Sequence, residues 1–128
     1  MKEKPQALRV ELLGGFRVSV GSRTVGDDAW RLKKAKSVVK LLALAPGHRM
    51  HREQLTQWLW PNSPNPKTQA NNLRQALHAA RRALEPTLAG GTSSTDYLRL
   101  IEDRVALCPE GNLWVDVKAF DILGTRIL

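Results

Sequence analysis

Asn71, Arg74, Gln75 and His78 sit at helical spacing in one run, residues 66–84, PKTQANNLRQALHAARRAL, which also holds Lys67, Arg81 and Arg82. Each of these residue types has a defined use at a polyanion. Arg donates two parallel hydrogen bonds to guanine, Asn and Gln pair bidentately with adenine, and Lys or Arg neutralises phosphate. On a helix of about 28 Å, successive residues about 100° apart place Lys67, Asn71, Arg74, Gln75, His78, Arg81 and Arg82 on one arc. Ala70, Leu73, Ala76, Leu77, Ala80, Ala83 and Leu84 fall on the opposite arc, and the polar arc carries no carboxylate before Glu85. The chemistry on offer is recognition of base edges and phosphate in the major groove. An ordinary solvated basic helix is the plainer reading of the same face.

Bond-making chemistry finds little support. His48, His51 and His78 belong to separate expected elements, Cys108 is isolated, and no CxxC, HExxH or GxSxG spacing occurs. His48 and His51 are at most half a metal site, and turn and cap roles account for both. Gly14 and Gly15 lack the lysine and following helix of a phosphate-binding loop, so they read as a turn. No catalytic residue, metal or cofactor is therefore expected. RNA recognition ranks low, because neither an aromatic-bearing strand motif nor a GXXG loop is present.

The charge distribution points the same way as the helix. The chain of 128 residues has a formal net charge of +8. Residues 29–84 hold eleven Lys and Arg against one acid, Glu53, while the remainder holds nine basic and eleven acidic residues. The whole excess thus lies in the middle, as expected for a polyanionic partner. A basic membrane-surface helix would need a larger apolar face than the alanines of residues 66–84 supply. With 42% hydrophobic residues and no bilayer-length apolar run, a soluble single domain is expected, without a membrane partner. One cysteine and the absence of a recognisable leader segment lead to the expectation of a cytoplasmic protein.

The elements that must hold the polar arc outward can be read in order. Residues 1–7 form a polar tail. Residues 8–13 and 16–20 read as strands with glycine turns, and a third near 23–25 completes a small antiparallel sheet. From Lys33 to Ala45, Ala35, Val38, Val39, Leu42 and Ala45 share a face opposite Lys33, Lys36, Ser37 and Lys40, so a helix is expected; Lys33, Lys34 and Lys36 are candidate phosphate contacts. His51 caps a second helix, 52–60, with Met50 as a staple on Leu55, and Leu55, Trp58 and Leu59 as its buried stripe. Residues 61–65, PNSPN, form a loop; Asn65 caps the long helix, and Pro66 suits its first turn. Residues 86–96 are a connection. Residues 97–101 and 105–107 form a hairpin, 113–120 can add a strand, and a short helix is expected near 117–123.

Strands, three helices with the third basic, and a hairpin describe an α+β fold, a winged helix-turn-helix with an N-terminal antiparallel sheet and a C-terminal hairpin wing. The blocks RLKKAKSVVKLLAL, HREQLTQWLWP, NNLRQALHAARRALEP, YLRLIEDRVAL and WVDVKAF, in that order, resemble the OmpR/PhoB-type DNA-binding domain that opens bacterial SARP and BTAD regulators. The resemblance spans residues 8–120. It implies a transcriptional regulator, of the activator kind, that binds double-stranded DNA with its third helix in the major groove. Asn71, Arg74, Gln75 and His78 become base readers, and Arg81 and Arg82 join Lys67 as phosphate contacts. The hairpin becomes a wing for the minor groove, with Arg104 at its tip. Glu102 and Asp103 depart from the pattern by placing acids there, which makes Arg99 a substitute contact.

In that family the loop before the recognition helix touches RNA polymerase, a role that would fall to Asn62, Ser63, Pro64 and Asn65. Such domains also bind as tandem copies on direct repeats. Residues 8–112 correspond to the domain, and 113–128 to an extension that in SARP-type proteins leads into a helical BTAD module. The chain is then either a fragment of a longer regulator or a short member. The competing function is a winged helix used for protein contact without specific DNA binding. A protein-binding groove would favour exposed aromatic or apolar anchors over Arg, Asn and Gln.

Overall fold

Leu8, Val10, Val18 and Val20 all turn to one side of two paired strands, and this alternation builds the first layer of the core. The computed structural model describes residues 6–63, 65–86 and 97–116. The expectations for residues 1–5, for Pro64, for most of the 86–96 connection and for a helix near 117–123 lie outside these described residues.

Strand β1 (Leu8–Glu11) pairs antiparallel with β2 (Arg17–Val20), which pairs antiparallel with β3 (Arg23–Thr24). The sheet is not purely antiparallel as expected. Strand β7 (Leu113–Val115) lies along the other edge of β1 in parallel, giving the order β3-β2-β1-β7. The exposed backbone edge of β1 needs a partner, and Val115 supplies a buried side chain from the far end of the chain. The Asp116 carboxylate accepts hydrogen bonds from the amides of Leu12 (2.8 Å) and Leu13 (3.0 Å), so β1 ends at Glu11 rather than at residue 13.

Three helices follow, and among the described residues the fold is α+β with two small sheets. Helix α1 (Lys33–Leu44) buries Ala35, Val38, Val39 and Leu42, as its periodicity predicts, together with Ala43. Helix α2 spans Arg52–Leu59. Its buried stripe is Leu55, Thr56 and Leu59, which corrects the expected place of Trp58. A face centred on residues 55, 56 and 59 leaves position 58 about 100° away, and the indole is exposed. Helix α3 spans Pro66–Leu84, the range expected from its cap and stop residues.

The second sheet has the order β4-β6-β5. Strands β5 (Leu98–Ile101) and β6 (Arg104–Leu107) are the expected hairpin, with Glu102 and Asp103 between them. Strand β4 (Arg49–His51) was not foreseen, because three residues are too few to show a period; it pairs antiparallel with β6. Helix α3 packs on α1 and α2 along its alanine-rich side, and its last turns also meet β5.

Candidate nucleic-acid interface

The backbone of α3 is tied at both ends. At the N-terminus the Asn65 side chain accepts from the Lys67 amide (2.9 Å), as the sequence predicts. Gln69 Nε2 donates to the carbonyls of Trp60 (3.3 Å) and Ser63 (3.4 Å), tying the preceding loop to the first turn. At the C-terminus Arg23 donates to the Leu84 carbonyl (2.7 Å), so a cation from β3 satisfies an otherwise orphaned acceptor at the negative end of the helix dipole.

Between these ties Asn71, Arg74, Gln75 and His78 are all exposed, as are Lys67 and Arg82. Leu73, Ala76, Leu77, Ala80, Ala83 and Leu84 are buried beneath them, so the helix is held by the side the sequence assigned to the core. Ala70 is an exception: it is exposed, and Ala79 is buried in addition.

Arg81 is the main correction. It was expected to face phosphate, but it is only 6% exposed, and its Nε donates to the Leu98 carbonyl on β5 (3.2 Å). Its helical angle is nearly that of Arg74, which is exposed about two turns earlier. The difference is that β5 meets α3 at Arg81, where the Leu98 carbonyl accepts from the guanidinium, whereas Arg74 stands exposed. Burial pushes the Arg81 guanidinium below its usual pKa, yet such a group stays charged at neutral pH.

The other cations divide into committed and available groups. Lys34 Nζ donates to the Leu59 carbonyl (2.7 Å), joining α1 to the end of α2. Lys36 pairs with Asp27 (3.4 Å), whereas Lys33 is exposed at the start of α1. On the hairpin, Arg99 pairs with Glu110 (3.2 Å), and Arg104 is exposed beside the turn. Asp103, one of the two acids at the hairpin tip, pairs with Arg52 at the start of α2 (3.4 Å). Of the loop residues, Asn62 and Asn65 are exposed, and the Ser63 amide donates to Trp60 (3.2 Å).

The histidines near the turn have structural duties. His51 Nδ1 accepts from the Glu53 amide (3.2 Å) and so caps α2, as expected, while His48 Nδ1 lies 3.2 Å from the Leu42 carbonyl. Among the described residues no three His, Cys, Asp or Glu side chains gather as a metal site requires, and no helix is long and apolar enough to cross a membrane.

Cys108 is buried, and desolvation pushes its thiol from 9.0 up to about 12. A raised pKa means that the native state favours the neutral thiol. Its contribution to stability is complete below about pH 9 and is lost as the pH climbs toward 12. The gap in urea midpoint between wild type and Cys108→Ala should therefore narrow across that window.

Comparison with protein-family models, with curated proteins and with solved structures finds no match.

Proposed function

We propose that this chain is a winged helix-turn-helix of the OmpR/PhoB type that binds double-stranded DNA sequence-specifically as a cytoplasmic transcriptional regulator. In this reading α3 lies in the major groove, Asn71, Arg74, Gln75 and His78 read bases, and the β5–β6 hairpin is the wing. The observation that carries it is the exposed, acid-free arc of α3, supported from behind by α1 and capped at both ends. Base-reading groups are thereby presented along one helix, and phosphate contact is assigned, on exposure, to Lys33, Lys67, Arg82 and Arg104.

Selection from a random duplex pool tests this reading. A repeated half-site would indicate tandem copies on direct repeats, and a lone half-site a monomer. The absence of any enrichment would instead favour protein contact. One observation supports that alternative specifically: Trp58, 64% exposed, lies just before the 61–65 loop and has the character of an interface anchor. If both surfaces act, the loop and Trp58 would meet RNA polymerase while α3 holds DNA.

A further inference from the structure

We infer that the outer face of the β4-β6-β5 sheet is a phosphate-binding site built around Arg49 and Arg104, with His51 as a third donor. The strand register puts these groups together. Arg49 stands opposite Ala106, which stands opposite Arg99; one step along, His51 stands opposite Arg104, which stands opposite Ile101. A concavity of about 400 Å³ is lined by Arg49, His51, Ile101, Arg104 and Ala106, with Glu102 and Asp103 at the turn.

The charges on this face are sorted by pairing. Asp103 is held by Arg52 and Glu110 by Arg99, which leaves Glu102 as the acid of the turn without an ion pair among the described residues. Arg49 and Arg104 likewise have no acidic partner there, and both are exposed. Two guanidinium forks therefore face one concavity against a single unneutralised carboxylate. Because His51 Nδ1 accepts from the Glu53 amide, the proton of the neutral ring is on Nε2, where it can donate. Two guanidiniums and an imidazole N–H suit the oxygens of a phosphate, and the volume admits an attached sugar.

The source of that phosphate rests on the function proposed above: the DNA backbone beside the wing, with a free phosphate anion as the other source of the same chemistry. Two measurements on the full chain separate them. Titration with inorganic phosphate, followed by nuclear magnetic resonance, should give saturable shifts at Arg49, Arg104 and His51 that Arg49→Gln abolishes and Arg49→Lys partly restores. With duplex DNA, Arg49→Gln should weaken binding to all sequences alike and make the slope of log affinity against log salt shallower by about 1. Phosphate shifts without the slope change would support the site and assign it to a free anion. Phosphate shifts in a protein that binds no DNA would retain the site while removing the regulator reading. Absence of both the shifts and the slope change, in an Arg49→Gln protein with wild-type thermal unfolding, would overturn the inference.

Discussion

Arg74→Ala should lower affinity for the selected duplex by about 1–3 kcal/mol, roughly 5- to 150-fold, and should relax base preference at one position. The side chain is exposed near the middle of the acid-free arc, so its truncation removes a bidentate donor without disturbing the core beneath. Lys67→Ala provides the contrast. A point charge at the first turn contributes to every sequence equally, so its loss should weaken selected and random DNA by the same factor. If about six phosphates are neutralised, log affinity should fall against log salt with a slope near −5. Gel shifts with selected and random competitor measure both quantities. Equal losses on the two DNAs for Arg74→Ala would remove it from base reading.

Arg81→Ala should show the opposite pattern, with a large loss of stability and an unchanged salt slope. Removing the buried side chain leaves a cavity between α3 and β5 and deprives the Leu98 carbonyl of a donor, at a combined cost of about 2–5 kcal/mol. Arg81→Met keeps most of the stem and gives up the hydrogen bond, so it should fall between wild type and alanine. Urea unfolding reads the stability. Binding by the folded fraction at several salt concentrations reads the slope, and a slope shallower by about 1 would restore Arg81 to the phosphate contacts that its sequence position suggests.

These two arginines show how far periodicity carries. The angles of residues on α3 distinguish Leu73 and Ala80 from Asn71 and His78, and the burial agrees. The same angles cannot separate Arg74 from Arg81, because they describe a helix with one environment along its length. Strand β5 meets the helix at Arg81, so one angular sector is open at residue 74 and closed at residue 81. Trp58 failed for a related reason. Leucines on either side of it fit more than one orientation of a short helix, and packing chose the orientation that buries Thr56.

The chain by itself determined the three helices and most of their ends, since Asn65, Pro66, Pro46 and His51 act on the backbone within one turn of where they stand. It also determined that the positive charge lies in the middle of the sequence and that α3 has one polar side. Only the tertiary structure decided which cations remain available. Arg81, Lys34, Lys36, Arg52 and Arg99 are each engaged by an acceptor elsewhere in the chain, with sequence separations from 9 to 51 residues, as Arg52 with Asp103 shows. It decided as well that β4 and β7 complete the two sheets, because a three-residue strand is specified by the edge that receives it. Short-range order is written in neighbouring residues, whereas the partner of a charge or a strand edge is set by whatever the fold brings beside it.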